Sequence, residues 1–137
     1  MNYNEIIEFV TQNPVCTLAT VENNQPHVRG FLTNIIDNKI YFTTSTHKRV
    51  GRELVQNQKV ELCYLNADSS VMLRVTARVA FEKSLEMKQN LIDEKPYLKG
   101  FRADDETFLL FTLESAKAWF WGLSDNMQEE GLEVLEF

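Results

Sequence analysis

The sequence predicts an all-β fold, a six- to seven-stranded antiparallel barrel, closed or nearly closed, with two to three accessory helices; a scheme that weighs the helices would class it as β-rich α+β. Three observations carry this reading. Short apolar, β-branched segments recur along the whole chain, residues that tolerate positive φ separate most of them, and helical periodicity appears only in brief stretches.

Each element follows from its residues. From Asn4 to Thr11, Ile6, Ile7, Phe9 and Val10 recur at helical spacing behind a good capping residue, and Asn13-Pro14 ends the helix. Val15 to Val21 is apolar and β-branched, and Glu22-Asn23-Asn24-Gln25 supplies a tight turn. Pro26 to Ile36 reads as a longer strand, separated at Asp37-Asn38 from an antiparallel neighbour at Lys39 to Thr44, so that strands one to three form a meander. After Thr46 the period changes. Val50, Leu54 and Val55 oppose Lys48, Arg49, Arg52 and Glu53, which predicts a helix of about ten residues. Lys59 to Leu65 and Val71 to Phe81 form a hairpin across Asn66 to Ser70, with Val71, Leu73, Val75, Ala77, Val79 and Phe81 on one face. Ser84 caps a helix running to about Glu94, stopped by Pro96, and Tyr97 to Glu106 reads as loop or a short helical turn. Thr107 to Leu113 and Lys117 to Gly122 are expected to form a last hairpin across Glu114-Ser115. A short strand at Leu132 to Phe137 ends the acidic tail.

With 137 residues, 44% of them hydrophobic and 25% charged, the chain suits one compact domain. The net charge of −6 disfavours nucleic acid and anionic membrane as partners. No apolar run approaches the roughly 20 residues of a membrane span, and the first residues carry acids where a secretory leader would carry bases, so a cytoplasmic protein is expected. Cys16 and Cys63 lie in alternating apolar segments and are expected to be buried, reduced thiols. His27 and His47 stand apart from paired acids or thiols in the sequence, and no metal site is expected.

Chemistry concentrates in two places. Thr43-Thr44-Ser45-Thr46-His47-Lys48 sets hydroxyls and a lysine between a strand end and a helix start, where free N–H groups and the positive end of the helix dipole favour a phosphate. The plainer alternative makes Thr46 an N-cap and its neighbours ordinary strand threonines. Arg29 lies mid-strand before Gly30-Phe31; its guanidinium suits a phosphate or carbonyl oxygen and Gly30 admits a flat ligand close to the backbone, although an arginine on a solvated sheet face would read the same. Since the second and third strands are expected to be neighbours, the two places converge. Trp119 and Trp121 share a face opposite Phe120, and either stack on a planar cofactor or fill a core or interface. Arg74 and Arg78 belong to the outer face. The acid pairs Asp104-Asp105 and Glu129-Glu130 fall in loops, no nucleophile stands beside a base, and no dinucleotide, P-loop or HExxH motif occurs, which counts against hydrolases and NTPases.

Taken in order, the helix with its Asn-Pro stop, CTLATVENNQPHVRGF, KIYFTTSTHK, ELVQNQKVEL and AKAWFWGL resemble the pyridoxamine 5′-phosphate oxidase-like FMN-binding split barrels, above all the small single-domain branch of nitroimidazole-resistance-type proteins, over about residues 5–122. The resemblance implies a homodimer with FMN at its two-fold interface. It implies that Arg29, Thr43, Thr44, Ser45 and Lys48 hold the phosphate and that Gly30 and Phe31 face the ring; Trp121, as a large aromatic able to stack on a planar group, is expected to border the cofactor. It further implies an oxidoreductase reducing a small quinone- or nitroaromatic-like acceptor, with NAD(P)H as a candidate donor. The oxidase proper has further basic residues and a C-terminal substrate-binding segment without counterpart here, so pyridoxamine phosphate oxidation is not expected. A non-catalytic flavin- or haem-binding sensor is the alternative.

Overall fold

A computed structural model describes residues 1–137. Helix α1 (Tyr3–Gln12) starts at a reciprocal capping box, Asn2 accepting from the Glu5 N–H and Glu5 from the Asn2 N–H, and buries Ile6, Ile7 and Val10. Strands β1 (Val15–Glu22) and β2 (Gln25–Leu32) are joined through Asn23 and Asn24, both in the left-handed region at φ 51° and 62°. Strands β3 (Asn34–Ile36) and β4 (Lys39–Ser45) are joined in the same way through Asp37 and Asn38, at 49° and 61°. Paired left-handed residues give a turn whose twist matches that of the flanking strands, and asparagine tolerates that conformation better than most side chains.

Helix α2 (Arg49–Gln56) leads to the hairpin β5 (Lys59–Leu65) and β6 (Val71–Glu82), and α3 (Leu85–Glu94), capped by Ser84, leads to a single 3-10 turn at Pro96–Leu98. The long β7 (Phe108–Gly122) and the two-residue β8 (Leu135–Glu136) complete the chain. The ladder runs β2-β1-β5-β6-β7-β4-β3, with β8 beside β7. Its two ends, β2 and β3, are consecutive in the chain with only Thr33 between them, so the sheet must curl until its edges meet. The result is a β-rich split barrel with three helices.

Inside lie Leu18, Phe42, Leu62, Tyr64, Leu73, Val75 and Phe111, all fully buried, with α1 and α2 packed against them through Ile6, Val10 and Leu54. Each such aliphatic side chain contributes about 1.5–3 kcal/mol by leaving water. A smaller cluster of Tyr41, Leu91, Leu98, Phe108 and Leu110 seats α3 and the turn after it.

Five sequence expectations change. The segment from Pro26 to Ile36 is two strands, because Thr33 turns inward, donating its N–H to Pro14 and sharing a hydroxyl contact with Tyr64. The meander therefore fails: β2 pairs with β1 and β3 with β4, while β2 and β4 are not neighbours. The last hairpin is absent as well. Thr107 to Gly122 contributes one continuous strand, and Glu114-Ser115 marks a bulge, where Ala77 of β6 faces both Ser115 and Ala116 and only Ser115 has positive φ, 50°. Cys16 is buried as expected, whereas Cys63 is half-buried beside Met72. The terminal strand shrinks to Leu135–Glu136, extended by mutual hydrogen bonds between Ala116 and Phe137.

Candidate functional site

Where β4 ends, the chain turns through Thr46 and His47 into α2. The N-cap is Lys48 rather than Thr46, and no side chain caps the helix, so its first N–H groups remain available to an anion. Ser45 organises the turn, its carbonyl accepting from the Lys48 N–H and its hydroxyl from the His47 N–H, while Thr46 donates its N–H to the Thr107 carbonyl and Arg52 donates to the carbonyls of Thr46 and His47. Gly51 lets α2 lie directly on this turn, since a Cβ there would stand 2.0 Å from the Ser45 carbonyl oxygen.

A cavity of about 300 Å³ opens beside the turn, and Arg29, Gly30, Phe31, Thr43, Thr44, Ser45 and Lys48 all line it. Tyr97, Leu98, Phe101 and Phe108 supply an apolar wall, so one end is hydroxylic and cationic and the other aromatic. The convergence expected from the sequence is thus present, but by a different route: β2 and β4 meet across the barrel, not along a ladder. Two groups at the polar end lack partners. The Thr44 hydroxyl is buried with no hydrogen-bond partner, and Lys48 is exposed and forms no ion pair.

Arg29 is differently placed from Lys48. Its Nη1 donates to the Thr20 hydroxyl at 2.8 Å and its Nη2 lies 3.2 Å from Glu53 Oε2. Thr20 also donates to that same oxygen. Burial pushes the Glu53 carboxyl up, but the bonds from Thr20 and Arg29 and the guanidinium charge outweigh it and leave the group below its ordinary range. Sequence reasoning missed Glu53, Thr20 and Gly51. In the sequence pattern Glu53 stands on the helix face opposite Val50, Leu54 and Val55, and only its neighbour of opposite charge, 24 positions away, shows why it is buried.

Trp121 lies outside this cavity, in a depression with Met72 and Met127. Trp119 stacks on Arg74, 5.0 Å from the guanidinium carbon to the ring centre, and donates its indole N–H to Glu129. Phe120 faces the other way onto Phe9. Trp121 is nevertheless linked to the cavity rim through the sheet. Leu32 pairs with Val15, Leu65 stands one position beyond the Tyr64–Cys16 pair, Leu65 pairs with Met72, and Met72 with Trp121, so one outward row crosses the strands from Leu32 to Trp121.

A split barrel with an uncapped strand-to-helix turn beside an aromatic-walled cavity defines the class. The chain belongs to the pyridoxamine 5′-phosphate oxidase family, whose family model matches residues 4–122. Among solved structures it is similar to a NimC/NimA family protein from Clostridium acetobutylicum, at 24% identity and TM-score 0.81, covering 100% of this chain and 94% of that one. A pyridoxamine 5′-phosphate oxidase-related, FMN-binding protein from Nostoc punctiforme matches at 14% identity and TM-score 0.62, covering 98% and 95%. A heme-binding protein from Mycobacterium smegmatis matches at 15% identity and TM-score 0.72, covering 98% of this chain and 57% of that one. No curated protein matches the chain in sequence. No helix is long and apolar enough to cross a membrane.

Proposed function

We propose that the chain binds FMN in the cavity between β2, β4 and α2 and acts as a homodimeric oxidoreductase toward a small flat acceptor. The observation that carries this reading is the buried, unpartnered Thr44 hydroxyl, set beside the unpaired Lys48 at an uncapped helix start. A phosphate monoester satisfies all three at once. Thr43 and Ser45 complete the polar end, and Arg29, held in place by Thr20 and Glu53, lines the same wall with guanidinium N–H donors. The flavin-binding relative in the same family supports the choice of ligand.

FMN, when bound, supplies hydride or electron transfer at its ring; the protein need only hold the phosphate, place the ring and limit water. Gly30 suits the second task, because a Cβ there would meet nothing nearer than the Cys16 carbonyl oxygen at 3.8 Å, leaving the backbone open to a flat group. Gly30 and Leu32 belong both to the cavity lining and to the outer face of β2, where Val28 is 68% and Leu32 44% exposed. A second copy covering that face would close the mouth of the cavity. By two-fold symmetry it would also bring the partner's Trp121 along the outward row toward this site.

The test is a flavin fluorescence titration with FMN and with riboflavin, which lacks the phosphate. Lys48→Ala is expected to weaken FMN by about 1.5–3 kcal/mol, more than tenfold, and to leave riboflavin nearly unchanged. Equal losses for both ligands, or a protein that purifies with a Soret band instead of flavin, would overturn the assignment. Arg29 is a poorer probe, since removing it strands the buried Glu53 charge. Turnover is tested by reduction with NADH or NADPH in the presence of a quinone or nitroaromatic.

A further inference from the structure

On the far side of Arg29 from the flavin cavity, the turn between β1 and β2 and the outer half of α2 enclose a second hollow of about 500 Å³ with no apolar side chain in its lining. Glu22, His27 and Glu53 meet there, each offering one ligating atom within 4.8 Å of the other two. We propose that these three residues form a binding site for a first-row divalent transition-metal ion such as Zn²⁺.

Glu53 is the reason to read the cluster as a site. Its side chain is 1% exposed, Oε2 is taken up by Thr20 and Arg29, and Oε1 is buried with no hydrogen-bond partner. An unpaired carboxylate oxygen held at that depth is costly unless something positive faces it. His27 and Glu22 stand at the distance to share such a partner. Donors bound to one ion at about 2.1 Å lie roughly 3–4 Å apart in tetrahedral or octahedral geometry, a small rotation of exposed-end side chains away from the spacing seen here. One imidazole and two carboxylates are a nitrogen and oxygen set, which favours zinc, manganese or ferrous iron over soft ions, and three protein donors leave a position for water.

The charges agree. Glu22 and Glu53 bring two negative charges, Arg29 offsets one, and Arg52 is drawn off onto the carbonyls of Thr46 and His47. Arg49 is the remaining cation in the lining and stands as the cost that the ion must overcome. The strand register explains the assembly: Thr20 pairs with His27 and Glu22 with Gln25, so His27 and Glu22 project to the same inner face at the barrel's end, under α2.

The test is a calorimetric titration of the full chain, flavin-free and flavin-loaded, with Zn²⁺, together with Co²⁺ absorption. One equivalent is expected in both forms, with d–d bands and no thiolate charge-transfer band, which separates the site from Cys63. His27→Ala and Glu22→Gln, folded by circular dichroism, are each expected to weaken Zn²⁺ roughly tenfold or more. Failure of wild-type protein to bind one equivalent, a thiolate band, or wild-type affinity in both variants would overturn the site. None of these outcomes depends on FMN binding, so this proposal and the flavin reading stand or fall separately.

Discussion

A methyl group on Gly51 would lie 2.0 Å from the Ser45 carbonyl oxygen and 2.6 Å from its carbon, both backbone atoms at the hinge between β4 and α2. Glycine to alanine inside a helix ordinarily stabilises by about 0.5–1 kcal/mol. Here the sign should reverse: Gly51→Ala is expected to cost about 1–3 kcal/mol in urea unfolding and to weaken FMN, because α2 must lift off Ser45. A stabilised variant with unchanged affinity would show that the helix does not rest on that turn. Cys16 gives a test by pH. Burial pushes its thiol up from 9.0 to about 11, against the opposing bonds of Tyr64 and Thr33. The folded state therefore holds a proton that the unfolded chain has released, so this stability is present in full below pH 9.0 and is lost as pH climbs through about 11. Unfolding free energies of wild type and Cys16→Ala at pH 8 and 10 should diverge, wild type losing about 1 kcal/mol more; parallel losses would contradict the burial.

The elements repeat one solution. Both two-residue turns set asparagine or aspartate side by side at positive φ, and both join strands whose ladders have no other register. Asn24→Gly is expected to stabilise by a few tenths of a kcal/mol, and Asn24→Val to destabilise by about 1–2 kcal/mol, read in thermal unfolding. No change on either substitution would mean that the turn is not held left-handed. These turns were legible because the residues that tolerate the conformation are few. Glu114-Ser115 is likewise a polar pair between two strand-like runs and is not a turn, since only Ser115 is left-handed and the chain on both sides of it pairs with the same strand, β6. Nothing local separates a bulge in a long strand from a tight hairpin; the available partner decides.

As a whole, the molecule leaves Val15, Val28, Leu32 and Leu65 exposed at 64%, 68%, 44% and 48% on strands that are adjacent in the ladder. Such a face is ordinarily covered. Sedimentation of the wild type is expected to give about twice the 15.9 kDa chain mass, and Leu65→Arg a monomer with weakened FMN. A wild-type monomer that retains FMN would remove the partner subunit from the site.

Local features are legible in the residues themselves: strand alternation, the capped helices α1 and α3, both asparagine turns, and the hydroxyl and lysine segment at a strand-to-helix junction each depend on residues a few positions apart. Adjacency comes from the closed barrel. Thr33 closes the barrel by directing β2 and β3 to opposite ends of one ladder, which brings Arg29 to Thr44 across the interior and not along a sheet. The same closure buries Glu53 against Thr20 and Arg29, 33 and 24 positions away, and sets His27 beside two carboxylates that the sequence keeps apart. Pairings of that kind depend on how the sheet curls, and curl is a property of all seven strands together rather than of any one of them.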